Sequence, residues 1–137
     1  MRIVLDTNVL IAAFISHGTC NEVFEQVIRH HQLVISEFIL QEFQNKLVGK
    51  FNYAKKEVEE ALHLLLSRSE VITPTPLTAQ ISRDPDDDNI LAVALSGNCD
   101  CIVSGDKDIL DLTDVKNLRL ISPSDFWKYE AKTKFRN

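Results

Sequence analysis

The residues best suited to chemistry are four acids, each of which follows a short apolar run or lies within about two helical turns of one. Asp6 follows residues 3–5, and Asp106 follows residues 101–105. If these runs are parallel neighbouring strands, their carboxyl ends share one edge of the sheet, where the acids would converge. Two carboxylates about 5 Å apart repel by roughly 3 kcal/mol at an effective dielectric constant near 20. A cluster of four therefore needs protons or a cation, and a hard divalent ion such as Mg²⁺ or Mn²⁺ is the natural counterion. The four acids are Asp6, Glu42, Asp88 and Asp106.

The first acid begins the segment Asp6-Thr7-Asn8, which lies between a strand pattern and a helical pattern. Asp, Thr and Asn all serve as helix N-caps, so this segment could simply start a helix. That explanation suits Thr7 or Asn8 better than Asp6, which still belongs to the buried strand tip. A buried carboxylate is costly unless it is paired or bound to metal. The position of Asp6 therefore favours a carboxylate that is paired or bound to metal.

The second acid, Glu42, is six residues beyond Ser36, a predicted helix cap, or about 9 Å along the helix axis. Helical side chains lean toward the N-terminus, so Glu42 could reach back to the sheet edge. Lys46, four residues later, offers the alternative of a surface ion pair worth a few tenths of a kcal/mol. The spacing alone leaves both interpretations open.

The other acids lie in two short polar segments. Four acids in residues 84–88 exceed what one helix N-terminus can use, and Asp88 is embedded deepest, directly before an apolar helix pattern. Asp106 follows Gly105, which permits a tight turn that aims the carboxylate over the sheet edge. Asp108 is assigned an outer or structural position. The choice of ligand among the acids at 86, 87 and 88 stays open.

Strand-length apolar runs alternate with helical patterns along the chain, which predicts a parallel α/β sheet. Thr19 with Glu22 forms a predicted capping box, and Gly97 is predicted to end a helix in the left-handed conformation. Two prolines place residues 73–84 in a loop. The predicted strands are residues 2–5, 32–35, 100–104 and 118–121, with a weaker one at 71–72. The predicted helices are residues 9–14, 19–29, 37–47, 55–67, one from 86 or 87 to 96, 107–110, and one that opens at 122–124.

The composition predicts one globular domain over residues 1–137, with an ordinary 45% apolar content. No apolar run approaches the roughly 18 residues that span a bilayer, and no signal-peptide layout is present. We therefore expect a cytoplasmic protein with no membrane partner. The net charge of −5 argues against a polyanion ligand, but a divalent ion would reverse the local sign of the acidic patch. Two basic stretches, the tail at 127–137 and the lysines at 46, 50, 55 and 56, could contact phosphates or be solvated surface.

These motifs resemble the PIN-domain nucleases, most closely the toxin components of prokaryotic toxin–antitoxin systems. Four pieces occur in family order and cover about residues 1–123. They are residues 3–10, Ser36 with 40–42, residues 84–94, and residues 103–108.

The resemblance implies a three-layer α/β/α sandwich with a central parallel sheet and metal-dependent cleavage of RNA phosphodiesters. It also implies a homodimer and, where the gene is paired, an antitoxin that covers the site. The implied metal-binding and catalytic acids are Asp6, Glu42, Asp88 and Asp106. Asn8, Ser104, Asp87 and Asp108 are implied or assigned as supporting residues.

The resulting hypothesis is hydrolysis of RNA with one or two Mg²⁺ or Mn²⁺ ions at the acids. Two alternatives remain. A haloacid dehalogenase-type phosphatase also places an acid after its first strand, but it requires Asp-x-Asp, and the third position here is Asn8. A non-catalytic RNA-binding or regulatory protein could keep the acids for a structural ion. The four histidines are scattered and are assigned surface or packing roles. The sequence does not indicate RNA preference, metal number or whether an antitoxin exists.

Overall fold

The central sheet is built from five short strands, all parallel, of which the three inner ones are mostly buried. The computed structural model describes residues 1–112, 115 and 117–134. The strand order is β3-β2-β1-β4-β5. The three inner strands are apolar along almost their whole length, as expected when helices cover both faces of a parallel sheet. The strands are β1 Arg2–Leu5, β2 Gln32–Ser36, β3 Ser69–Ile72, β4 Cys101–Val103 and β5 Arg119–Ile121.

Helices connect the strands and complete the predicted α/β/α arrangement. α5 packs on β1, β2 and β4, and α2 and α3 pack against β2. The apolar faces of the helices meet the sheet in one core, where Phe43 and Phe126 are fully buried. The helices are α1 Thr7–Ile15, α2 Thr19–His30, α3 Glu37–Gly49, α4 Lys55–Arg68, α5 Pro85–Ser96, α6 Lys107–Leu110 and α7 Phe126–Lys134, the last preceded by a 3-10 turn at Pro123–Asp125. The mixed α/β fold with a central parallel sheet is confirmed.

The strand order reverses direction between β1 and β4, which makes this pair the topological switch point of the sheet. In open α/β sheets the crevice at the carboxyl ends of such strands is the usual ligand site. Leu5 is in register with Val103, and the backbone N–H of Asp6 donates to the Val103 carbonyl at 3.0 Å. The fold thus brings the segments after β1 and β4 together at one edge.

Two local predictions about helix ends are wrong. Gly18, and not Thr19, is the N-cap of α2, so Thr19 is already helical and makes no capping bond. Gly97 has φ −84°, and Asn98 is the residue with a left-handed φ of 51°. Packing gives a different reason for a glycine at 97: a Cβ there would lie 3.1 Å from side-chain atoms of Ile72 and Val34, closer than most Cβ contacts. Close packing of α5 on the sheet, and not backbone conformation, therefore explains this glycine.

The C-terminal basic stretch is helical over its described part, since it lies in α7, while Arg136 lies outside the described residues. Gln26 and His31 both contact the buried carboxylate of Glu130, at 2.9 and 2.7 Å, which joins α7 to the region around α2. His31 thus has the packing role expected for it. Within the described ranges, no helix combines the length and apolar character needed to cross a bilayer.

Candidate metal centre

Asp6 lies at the carboxyl end of β1 and occupies the N-cap position of α1, yet its side chain makes no capping bond to the helix. Its carboxylate accepts a hydrogen bond from the Ser104 hydroxyl at 2.7 Å, and the residue is only 8% exposed. Ser104 directly follows β4, so the two strands at the switch point each contribute one partner. The helix-cap explanation therefore does not account for the Asp6 carboxylate.

Glu42 approaches the same edge from α3. Ser36 caps α3, its hydroxyl oxygen accepting from the Ile39 backbone N–H at 3.3 Å, as the sequence predicts. The Thr7 hydroxyl donates to the Glu42 carboxylate at 2.8 Å. This bond fixes Glu42 beside the start of α1, one residue from Asp6. Of the two interpretations left open for Glu42, the structure favours the one in which it reaches the sheet edge.

Lys46 does not pair with Glu42, although it lies one helical turn beyond it on α3. Its ammonium donates instead to the Asn8 side-chain oxygen at 2.8 Å. Both residues line the cavity that Asp6 and Glu42 face. A cation is thus held at the rim of the acidic site by an amide, which leaves the carboxylates free of a direct lysine contact.

Asp106 is positioned by the residues on either side of it. The Ser104 hydroxyl oxygen accepts from the Asp106 backbone N–H at 2.9 Å, so one serine orders both Asp6 and Asp106. The Asp106 carboxylate caps α6 by accepting from the Asp108 backbone N–H at 2.8 Å. Asp108 forms an ion pair with Arg83 at 2.7 Å. The predicted capped turn is therefore present, and Asp106 also faces the cavity.

The acidic run at the start of α5 divides between two surroundings. Asp84 is the N-cap of α5, accepting from the Asp86 backbone N–H at 3.0 Å. Asp87 is 6% exposed and accepts from the Ser82 hydroxyl at 3.0 Å. Asp88 faces the preceding loop, where its carboxylate accepts from the backbone N–H groups of Ile81 and Ser82. Asp88 does not line the cavity, whereas Asp87 does.

The convergent side chains surround a cavity of about 90 Å³ at the carboxyl edge of the sheet. Six carboxylates and one ammonium line it, so the charge is strongly unbalanced. No histidine belongs to the lining. The lining residues are Asp6, Thr7, Asn8, Glu42, Lys46, Asp84, Asp86, Asp87, Ile90 and Asp106.

Burial and repulsion between carboxylates raise the pKa values of two of these groups, Asp6 and Asp87. Burial raises the pKa of Asp6, and repulsion from Asp106 raises it further. Hydrogen bonds from the Ser104 hydroxyl and the Thr7 backbone act in the opposite direction. Burial also raises the pKa of Asp87 to about 6, against the hydrogen bond from Ser82, with further increases from neighbouring carboxylates. In both cases burial is the main cause, and repulsion from neighbouring carboxylates adds to it.

The donor set fits a hard divalent cation. One carboxylate oxygen each from Asp87, Asp106 and Asp108 lies within 4.8 Å of the others, close enough for small adjustments to bring them to one ion. Asp6 and Glu42 add two more carboxylates at the same cavity. Oxygen-only ligands of this kind are those that Mg²⁺ and Mn²⁺ prefer. The residues present therefore suit the ion that the sequence predicts.

The raised pKa of Asp87 predicts the pH dependence of stability in metal-free protein. The folded pKa of about 6 exceeds the unfolded value of about 3.9, so between these pH values the folded state binds more protons. The contribution of this group to unfolding free energy is present below pH 4 and lost as pH rises to 6. In EDTA, Asp87→Asn should therefore have a Tm close to that of the parent at pH 4 and a higher one at pH 7. An equal Tm difference at both pH values would contradict the shift.

The sequence did not identify every side chain at this cavity. Thr7 was considered only as a helix cap, and Lys46 as a surface partner of Glu42 or as part of a basic stretch that could contact phosphates, but not as a partner of Asn8. Ser82 lies in a loop without periodicity and gave no signal. A hint in the sequence was that Thr7 and Asn8 directly follow an acid at a strand end, where small polar residues face a shared crevice.

The fold has known counterparts at low sequence identity. VapBC2 from Rickettsia felis, solved bound to a DNA fragment from their promoter, is 21% identical, with a TM-score of 0.63 over 89% of this chain and 98% of that one. PAE2754 from Pyrobaculum aerophilum is 20% identical, with a TM-score of 0.65 over 96% and 90% of the two chains. VapBC-1 from nontypeable Haemophilus influenzae is 20% identical, with a TM-score of 0.60 over 90% and 99%. A comparison with curated proteins finds no match.

The family comparison agrees with this geometry and extends over most of the chain. The family model described as PIN domain matches residues 2–108, a span that begins with β1 and includes the acids at 6, 42, 87 and 106. The chain therefore belongs to the PIN-domain family.

Proposed function

We propose that this PIN-domain protein is a Mg²⁺- or Mn²⁺-dependent endoribonuclease, the toxin of a toxin–antitoxin pair. The observation that carries the proposal is the convergence of carboxylates from four separate segments on one 90 Å³ cavity. Family membership supports nuclease chemistry, and likeness to VapBC structures supports the partner. A homodimer and a cytoplasmic location belong to the same proposal.

Asp6, Glu42, Asp87 and Asp106 are the residues that we assign to hold the ion. A bound divalent ion would acidify a water and offset charge on the scissile phosphate. The protein's own contribution is orientation: Ser104 fixes Asp6, and Thr7 fixes Glu42. Rigid placement of the carboxylates lowers the cost of assembling the reacting groups.

Lys46 supplies the positive charge that the carboxylates lack. Its ammonium lies in the cavity lining and is held by the Asn8 oxygen. An incoming phosphate would otherwise meet only carboxylates on this side. We assign Lys46 to attract the phosphate and to keep it near the acids, as a point charge at close range.

The phosphatase alternative loses support from the surroundings of Asn8. The haloacid dehalogenase mechanism needs an acid two residues after the nucleophile, to give a proton to the leaving group. Here the equivalent side chain is an amide whose oxygen already accepts from Lys46. A phosphorylated Asp6 after incubation with a phosphomonoester would nevertheless establish that chemistry.

The proposal is tested by incubating purified protein with mixed RNA in Mn²⁺, in Mg²⁺ and in EDTA. We expect internal cleavage with either ion and none with EDTA, with activity restored by excess Mn²⁺. Single-stranded DNA of the same length tests the preference for RNA. Intact RNA in Mn²⁺, with binding that persists in EDTA, would instead support the non-catalytic RNA-binding alternative.

A further inference from the structure

A second and larger concavity lies along the outer edge of β5 and shares no lining residue with the acidic cavity. It has a volume of about 510 Å³ and is bounded by β5, the end of α6 and one face of α7. We call it the β5 groove. β5 is an edge strand of the sheet, so no further strand covers this side among the described residues.

The β5 groove is positively charged in a negatively charged protein. Arg119, Lys128 and Lys132 line it, against one carboxylate, Asp125. All four residues are exposed. The chain as a whole carries a net charge of −5, so general surface composition does not explain this excess of cations. A local basic track on an acidic protein favours an anionic ligand with several charges.

The same groove offers an aromatic ring and an apolar wall. The Tyr129 ring is partly exposed in the lining, and the Arg119 guanidinium lies 6.0 Å from its centroid. Leu110 contributes apolar surface at the α6 end. Cations that follow a backbone, together with a ring on which a base can stack, are the components of single-strand binding channels.

The short helix α6 links the β5 groove to the proposed active site. Asp106 caps α6, and Leu110, the last residue of this helix, lines the groove. A four-residue helix is only about 6 Å long, so the groove begins close to the acidic cavity. On the sheet side, the Ile121 carbonyl accepts from the Ser104 backbone N–H at 2.9 Å, and Ile121 itself lines the groove.

We propose that the β5 groove binds the phosphate backbone of single-stranded RNA flanking the scissile bond, with Tyr129 as a stacking surface for one base. This inference rests on the proposed nuclease function and assigns part of its substrate contacts. Lys128 and Lys132 follow the backbone along α7, and Arg119 contacts it from β5. Cleavage of long RNA would then depend on the groove, whereas chemistry on a dinucleotide would not.

The test measures the salt dependence of RNA binding in EDTA, where no cleavage occurs. The probe is a fluorescent 20-nucleotide oligouridylate, followed by anisotropy between 50 and 200 mM KCl. Each lost phosphate contact should lower the slope of log K against log salt by about 0.7 for a single strand. K128Q/K132Q should therefore lower the slope by about 1.4, so that its affinity changes about sevenfold less over this range.

The matched control is R29Q/R68Q, which removes the same charge from exposed positions on α2 and α4, outside both basic stretches of the sequence. It should leave the slope within experimental error of the parent. An equal reduction in both double variants would show a net-charge effect and overturn the groove assignment. An unchanged slope in K128Q/K132Q would also overturn the groove assignment. This holds even if the variant alters the oligomeric state of the protein.

Cleavage assays separate this inference from the proposed function. If both hold, K128Q/K132Q should raise KM for the 20-mer several-fold while Mn²⁺-dependent cleavage of a dinucleotide stays unchanged. Mn²⁺-dependent cleavage with no effect of the groove variant on KM or slope would reject the groove alone. A groove-dependent salt slope without any cleavage in Mn²⁺ would reject the nuclease and retain the RNA-binding groove.

Discussion

Asp6→Asn is expected to abolish Mn²⁺-dependent RNA cleavage while leaving the thermal stability equal or higher. The substitution removes one ligand charge from the cavity, and a loss of about 4 kcal/mol of transition-state stabilisation corresponds to roughly a thousandfold lower rate. The side-chain shape stays nearly the same, so the Ser104 hydroxyl can still donate to the amide oxygen. The measurement pairs initial cleavage rates in Mn²⁺ with thermal unfolding in EDTA.

The stability half of this result follows from the environment of Asp6. The residue is 8% exposed, and burial together with Asp106 raises its pKa, so the ionised form is disfavoured in the folded state. A neutral amide avoids that cost. Mn²⁺ should also raise the Tm of the parent protein more than that of the variant, because the ion binds only the folded site.

The control is Glu60→Gln, which removes one charge from an exposed position on α4. It should leave both the rate and the Mn²⁺-induced rise in Tm unchanged. If Asp6→Asn cleaves RNA at the parental rate, the assignment of this cavity as the active site is refuted. A variant that is inactive because it is unfolded would be recognised from its Tm.

The second large effect is a contrast between two adjacent acids, Asp87 and Asp88. Asp87→Asn should lower the cleavage rate by at least about a hundredfold, since a metal ligand or its close support is lost, with equal or higher stability. Asp88→Asn should retain most of the activity but lower the unfolding free energy by about 1 kcal/mol. Its carboxylate accepts bonds from the backbone of Ile81 and Ser82, which one amide oxygen satisfies less well.

The pair is informative because one substitution should affect mainly the cleavage rate and the other mainly the stability. The two substitutions are chemically identical and one residue apart, so each is the control for the other. Asp87→Asn should have the lower cleavage rate in Mn²⁺, and Asp88→Asn should have the lower denaturant midpoint in EDTA. The reverse pattern, with Asp88→Asn inactive and Asp87→Asn merely less stable, would restore Asp88 as the ligand that the sequence motif suggests.

The order of strands and helices was largely predictable because it depends on local periodicity. Buried parallel strands read as short apolar runs, and the weak run at residues 71–72 proved to be the end of β3. The errors at Thr19 and Gly97 concern single residues at helix ends. In the case of Gly97, contact with Val34 and Ile72 on distant strands decides the residue type, and such contacts leave no local pattern.

For the site, the sequence by itself determined that acids stand at the ends of β1 and β4 and on the helices after β2 and before β4. It could not choose between Asp87 and Asp88, because consecutive residues at a helix start point about 100° apart and the helix must first be docked. Only the tertiary structure turned Asp87 toward the cavity and Asp88 toward its loop. It also decided that Lys46 binds Asn8 instead of Glu42, because the distances between α3 and α1 are set by packing across the sheet edge and not by spacing along the chain.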